Sequence, residues 1–237
     1  MSFEAVVLAG GKGTRLSPYT YVLPKPLLPI EQRPILDLVL TRLAREGCSR
    51  VILAVGYLGH LIETYCGTGE RWGLRIEYFR EEQPLGTVGA LALIDPLPTS
   101  PFVVMNGDVL TDLSFRELLD AHTRSDAEIS IASFRRTVRD ELGVLEVDEA
   151  GRLLAYREKP EHEYLVSMGI YAFNPSAVDL VPWGERLDFP DLVHRMLAAG
   201  RGVRSHIHAE YWLDIGRHDD FARANEEFAS IRERLGV

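Results

Sequence analysis

The sequence predicts an α/β fold: a Rossmann-like, mixed and mostly parallel sheet flanked by helices, with a more β-rich second half. Three observations carry this. Over residues 1–134, short apolar runs alternate with helical patterns, the rhythm of βαβ units whose strands are covered on both faces. Beyond residue 134 the rhythm changes to strands and turns. Finally, a loop of more than twenty residues, Leu8 to Ile30 (LAGGKGTRLSPYTYVLPKPLLPI), follows directly on the first apolar run. In an open parallel sheet that is where ligands bind.

Glu4–Ala9 (EAVVLA) reads as a fully buried strand. Pro34–Glu46 reads as a helix, with proline in its first turn and Gly47 past its end. Arg50–Val55 is a β-branched strand, Tyr57–Tyr65 a helix, Leu74–Phe79 an alternating strand, Thr87–Ile94 a helix and Phe102–Met105 a short buried strand. Ser114-x-x-Glu117 spells a capping box and opens a helix to about Arg124. Ala127–Phe134 returns to strand. Gly143–Asp148 and Arg152–Glu158, joined by Glu149-Ala150-Gly151, read as a hairpin. Val166–Phe173 is a strand, Asn174-Pro175 caps a short helix, and Asp188 with Pro190 starts another that ends at Gly200. Val203–His208 is a late strand, and Asp219–Leu235 a closing amphipathic helix. No linker composition or internal repeat appears, so one compact domain is expected over 1–237, with residues 1–134 and 135–237 as its two halves.

The chain has 237 residues, 46% hydrophobic and 26% charged, enough for a sizeable core. A net charge of −9 argues against nucleic acid as partner, because that binding needs a positive field. A local cluster can still take a small anion, and Lys12, Arg15 and Lys25 form one. Cys48 and Cys66 have neither CxxC nor metal-ligand spacing. No basic leader precedes an apolar segment, and no window approaches a membrane span. The expectation is a cytoplasmic protein with reduced, structural cysteines.

The loop fails both common phosphate signatures. No G-x-x-x-x-G-K-[ST] string exists, and Gly11-Lys12-Gly13-Thr14-Arg15-Leu16 lacks the last glycine of G-x-G-x-x-G. Glycines there still allow close backbone approach to a ligand. Pro24-Lys25-Pro26 stiffens the chain around one ammonium.

These residues resemble a known signature. LAGGKGTRLSPYTYVLPKPLLPI is similar to the GGxGTRLxPxT…PKPLxPI signature of the sugar-1-phosphate nucleotidylyltransferases. The resemblance continues through EEQPLGTVGAL (81–91), MNGD (105–108), GVLEVDEAGRLLAYREKP (143–160), SMGIYAFNP (167–175) and YWLDIGRHDDF (211–221), covering essentially the whole chain. Among the branches it looks most like the short mannose-1-phosphate or heptose-1-phosphate guanylyltransferases, without the C-terminal hexapeptide β-helix of other relatives.

The resemblance implies the nucleotide-diphospho-sugar transferase type of fold, with a sugar-binding β-rich part, and transfer of a nucleotidyl group from an NTP to a sugar 1-phosphate. It implies a nucleotide site at Leu8, Ala9, Gly10, Gly11, Gly13, Thr14, Arg15, Glu81, Pro84, Gly86, Thr87, Asn106 and Gly107. Arg15 would hold the leaving pyrophosphate, Lys25 would sit at the α-phosphate, and Asp108 with Asp214 would share one Mg2+. Gly143, Glu158, Lys159, Ser167 and Gly169 would meet the sugar phosphate. Arg15, Lys25 and Asp108 are thus the candidate catalytic residues. Glu81 stands at the base-reading position, and a carboxylate can accept two hydrogen bonds from guanine, which favours GTP.

Ser167 departs from the family's asparagine, leaving the acceptor open among mannose, another hexose, a heptose or a cyclitol phosphate; Asp37 replaces a glutamate of many relatives. His206-x-His208 reads as a solvent-facing strand surface, with a metal pair as the alternative. Trp72, Trp183 and Trp212 read as core or pocket walls. Two other classes fit the motifs less well. A GT-A glycosyltransferase needs D-x-D, which Asp108-Val109-Leu110 does not supply. A non-catalytic sensor would not need Arg15, Lys25 and Asp108 together. The oligomeric state stays open, a homodimer included.

Overall fold

The computed structural model describes residues 2–237. In chain order its elements are β1 (Phe3–Ala9), β2 (Pro29–Ile30), β3 (Arg33–Pro34), α1 (Ile35–Arg45), β4 (Cys48–Val55), α2 (Gly59–Cys66), β5 (Arg75–Arg80), β6 (Phe102–Asn106), β7 (Val109–Thr111), α3 (Phe115–Thr123), β8 (Ile129–Arg139), β9 (Val144–Val147), β10 (Leu153–Arg157), β11 (Glu161–Phe173), α4 (Phe189–Ala198), β12 (Val203–His208), β13 (Trp212–Asp214) and α5 (His218–Leu235). Seven strands form one sheet in the order β12-β8-β11-β6-β1-β4-β5. The β6, β1, β4 and β5 strands run parallel, β12 runs parallel to β8, and β11 is antiparallel to β6 and β8. This is the mixed, mostly parallel sheet expected.

Side chains alternate faces along each strand, and both faces are covered. Ala5, Val7, Val103 and Met105 pack with Leu36 and Leu40 of α1 and Phe115 of α3. Val6, Phe102 and Val104 pack on the other face with Phe173, Phe189 and Leu192. A third cluster joins Leu16, Leu28 and Ile30 to Ile35 and Leu38 of α1 and to Phe228 and Ile231 of α5. The loop after β1 is therefore anchored by its own apolar residues, with α5 closing over them.

The local signals act as their chemistry demands. Pro34 caps α1, and Gly47 (φ 90°) takes the left-handed conformation that ends it. Ser114 Oγ accepts the Glu117 N–H at 3.3 Å. Asp37 takes a hydrogen bond from Arg33 at 2.6 Å. Cys48 and Cys66 are buried and unpaired, and burial pushes each thiol up to about 12. No helix among the described residues is long and apolar enough to cross a membrane.

Several expectations need correction. Thr87–Ile94 is not an α-helix; only a short 3-10 helix forms at Gly89–Leu93. The preceding residues are committed elsewhere: Val88 N–H donates to Leu187 O (3.1 Å) and Leu187 N–H to Leu85 O (2.9 Å), so the turn at 86–88 is held against residues 185–188. The β8 and β11 strands run well past the sheet as a long antiparallel pair, Glu161 facing Arg139, because the ladder satisfies backbone that a polar sequence does not mark as strand. The short strands β2, β3, β7 and β13 carry no strand signal in the sequence. His206 and His208 are half-buried rather than fully solvent-facing. His208 Nε2 is 2.7 Å from Asp112 Oδ1, and burial lowers the pKa of His206. Trp183 is no wall but 77% exposed.

Candidate active site

The loop after β1 is built from three single-turn 3-10 helices, Thr14–Leu16, Tyr19–Tyr21 and Lys25–Leu27. Gly13 sits at φ 61° and its carbonyl accepts from Leu16 N–H (2.9 Å) and the Thr20 hydroxyl (3.0 Å). A Cβ there would lie 3.0 Å from Lys25 Cβ, so glycine lets the loop fold back onto the lysine. Lys25 opens the third turn between two prolines. Leu27 N–H donates to Pro24 O (2.8 Å), and Pro26 and Leu27 are buried. The ammonium stands on this fixed base, donates to Asp108 Oδ2, and leaves only 11% of the side chain exposed.

Asp108 lies in the turn between β6 and β7. Gly107 N–H donates to Leu8 O (2.9 Å), tying the turn to the end of β1. Asp214, about a hundred residues further on, is brought there by the β13–β7 ladder. It pairs with Val109, and Ile215 N–H donates to Asp108 O at 3.1 Å. Asp108 Oδ1 is buried with no hydrogen-bond partner among the described residues. The Asp214 carboxyl is raised above its ordinary value, first by desolvation and then by the charge of Asp108, with Lys25 and Arg15 opposing. Two close carboxylates, one with an unused buried oxygen, suit a hard cation. Mg2+ takes one or two carboxylates and completes its shell with phosphate and water. No cluster of three or more His, Cys, Asp or Glu exists among the described residues to provide an all-protein cage.

A cavity of about 420 Å³ opens at this point. Leu8, Ala9, Gly10, Gly11, Gly13, Arg15 and Lys25 line it from the first loop, Glu81, Pro84, Gly86 and Thr87 from the segment after β5, and Asn106 with Asp108 from the turn after β6. Thr14 and Gly107 support it without lining it. Glu81 lies against the glycine loop, where a Cβ on Gly10 would come within 2.5 Å of its Oε1. Its Oε2 accepts the Leu85 N–H at 3.1 Å. Burial raises the Glu81 carboxyl, with that hydrogen bond opposing. Thr87 lines the cavity, but its hydroxyl accepts the Phe189 N–H (2.6 Å) and so caps α4. Two lining residues, Arg186 and Asp188, escaped sequence reasoning. They arrive through the contact of 85–89 with 185–189, and Asp188 was legible only as a helix start.

The remaining expected residues lie outside this cavity. Gly169 (φ 71°) is next to it, since a Cβ there would sit 2.5 Å from Asn106 Nδ2. Ser167 occupies the irregularity in β11, its hydroxyl donating to the Tyr171 hydroxyl at 3.3 Å. Gly143 and Glu158 meet at the base of the β9–β10 hairpin, where the Tyr156 hydroxyl donates to Glu158 Oε2 (2.8 Å) and would stand 2.3 Å from a Cβ on Gly143. Lys159 has φ 44°, a conformation that costs a lysine about 1–3 kcal/mol. A second cavity, about 730 Å³, shares Arg15 with the first and takes in Asp214, Phe134 and Trp212. Trp212 Nε1 donates to Met168 O (3.0 Å), which puts this cavity beside the Ser167–Gly169 stretch.

The family model described as nucleotidyl transferase matches residues 4–231. The chain belongs to the nucleotidyl transferase family. Among relatives, a mannose-1-phosphate guanylyltransferase of Mycobacterium tuberculosis is 36% identical over 94% of this chain and 64% of its own length. A UTP–glucose-1-phosphate uridylyltransferase of Synechocystis is 33% identical over 99% of this chain and 68% of its own. The chain thus spans about two thirds of the length of these nucleotidyl transferases. Among solved structures, HddC from Yersinia pseudotuberculosis complexed with GMP-PN aligns with a TM-score of 0.74 at 25% identity, covering 95% of this chain and 99% of that one. The mixed sheet flanked by helices is therefore the nucleotidyl transferase architecture.

Proposed function

We propose that this chain transfers a nucleotidyl group from an NTP, GTP by preference, to a sugar 1-phosphate, releasing pyrophosphate, and that it does so as one catalytic domain. The observation that carries the reading is the mounting of Lys25: one ammonium, stiffened by flanking prolines, fixed beside Asp108 in a glycine-walled cavity at the carboxyl end of the sheet. The relatives named above, which carry out guanylyl and uridylyl transfer by their names, support the reaction class and leave the base open.

The chemistry asks little of the protein in proton transfer. The acceptor phosphate, with a second pKa of about 6, is already an anionic nucleophile at neutral pH. What opposes reaction is repulsion between two anions, so positioning and charge neutralisation supply the catalysis. The backbone of Gly10–Thr14 would wrap the nucleotide phosphates, Lys25 would stabilise charge at the α-phosphorus, and Arg15 would hold the departing pyrophosphate. Asp108 and Asp214 would hold Mg2+, which when bound neutralises phosphate charge. Glu81, desolvated against Gly10, would accept the guanine N–H pair; the structural neighbour's guanine nucleotide supports this preference. Gly143, Glu158, Lys159, Ser167 and Gly169 would contact the acceptor. The test is pyrophosphate release with Mg2+, each NTP in turn and a panel of sugar 1-phosphates. Release with GTP above the other nucleotides is expected; none with any pair would reject the reaction, and release only with UTP or dTTP would reject the role of Glu81.

A further inference from the structure

The second cavity has a charge that the reaction as proposed does not explain. Arg15, Arg135, Arg136, Arg217 and Arg223 line it, against Asp214 and Asp220. In a chain of net charge −9 this is a local reversal of sign. Wall contacts occupy part of it: Arg135 reaches Glu163 at 3.3 Å and Arg223 reaches Glu227 at 3.8 Å, both long and solvent-exposed pairs. Arg136 and Arg217 take part in none of the ion pairs among the described residues, and Arg15 acts through its charge on Asp214. Asp220 is turned to its own helix start, where it accepts the Arg217 backbone N–H at 3.0 Å. The cavity also offers an apolar surface. Phe134 and Trp212 lie with ring centroids 5.6 Å apart, and Trp212 is fixed through its hydrogen bond to Met168 O.

A single acceptor phosphate does not account for this lining. Arg15 is shared with the nucleotide cavity, and Lys25 lines that cavity alone while its charge reaches Asp214. The arginines of β8 and α5 remain, around aromatic rings that suit the face of a sugar. Guanidinium groups favour planar, multidentate anions such as carboxylate and phosphate. We infer that the acceptor carries a second anionic group besides its 1-phosphate, a carboxylate or a further phosphate, and that Arg136 and Arg223 determine this specificity. This rests on the sugar-phosphate reading of the preceding subsection.

The experiment compares acceptors matched except for one anionic group, with Mg2+ and GTP: glucose 1-phosphate against glucuronic acid 1-phosphate, and mannose 1-phosphate against mannose 1,6-bisphosphate. At least about tenfold higher kcat/KM is expected for one doubly anionic member over its partner, the scale of a charge-assisted hydrogen bond. The advantage should shrink as salt is raised. The variants R136Q and R223Q should lower that ratio several-fold, and R136K should restore part of it; melting temperatures check that each variant is folded. Equal or better turnover of the singly anionic members, or a ratio unchanged in both glutamine variants, would overturn the inference while leaving the reaction standing. No pyrophosphate from any acceptor and any NTP would overturn the reaction itself, and the inference with it.

Discussion

Replacing Lys25 by methionine keeps the length of the side chain and removes its charge. In the native structure the ammonium donates to Asp108 Oδ2, while Asp108 Oδ1 is buried without a partner. K25M would leave both oxygens of that carboxylate uncompensated. Removing one partner of a fully buried pair costs about 3–5 kcal/mol, and an exposed pair is worth about 0–1 kcal/mol. Here the side chains are 11% and 20% exposed, so a loss between those limits, about 1–3 kcal/mol, is expected. For a chain of this size that lowers Tm by roughly 2–12 °C. The rate should suffer more. Removing one preorganised donor to developing charge costs about 10²–10³ in kcat. The two effects separate in a second variant: K25M/D108N removes the orphaned charge and should regain most of the stability but none of the rate. Thermal unfolding and pyrophosphate release measure the two. If K25M keeps its Tm and more than a tenth of the wild-type kcat, the ammonium is neither compensating Asp108 nor acting on phosphate, and the reasoning is refuted.

Three further outcomes are expected. Burial raises the Glu81 carboxyl, so its ionisation destabilises the fold once pH rises above its ordinary value; E81Q should melt no lower than wild type at pH 7, yet lose about tenfold or more in kcat/KM for GTP, and equal kcat/KM for GTP would exclude it from base reading. At Asp112 burial pushes the carboxyl up, but hydrogen bonds from the Tyr211 backbone, Arg234 and His208 outweigh it and hold the pKa low. Its contribution is thus full above the usual carboxylate value of about 4 and fades as pH falls below it, so D112N should cost about 1–3 kcal/mol at pH 7 and progressively less toward pH 2, by denaturant unfolding at each pH. Cys48 and Cys66, with thiols pushed up to about 12, should resist a disulfide reagent at pH 8 in the native protein and react promptly when unfolded.

The buried strands were legible because burial on both faces demands an uninterrupted apolar run, as in Glu4–Ala9 and Arg50–Val55. The capping box at Ser114 and the hairpin at Gly143–Glu158 were legible because their signals act within a few residues. The apolar spacing of Thr87–Ile94 suits a helix, but a remote irregular segment at 185–188 claims its backbone. Arg186 and Asp188 went unnoticed for the same reason. The sequence around 185–188 says nothing of the cavity, which exists only once that segment lies against Leu85–Gly89. His208 was misjudged because its partner Asp112 comes from another strand's end.

By itself the sequence determined the α/β alternation, the buried strands and the stiffened, cationic first loop, since dihedral preference and apolar patterning are properties of neighbouring residues. Only the tertiary structure decided that Asp214 stands beside Asp108, through the β13–β7 ladder; that the loop's apolar residues lock under α5; and that arginines from β8 and α5 share one cavity. Those relations join residues far apart in the chain, and a charge or an unpaired oxygen acquires its energy from what surrounds it in space rather than from its neighbours in sequence.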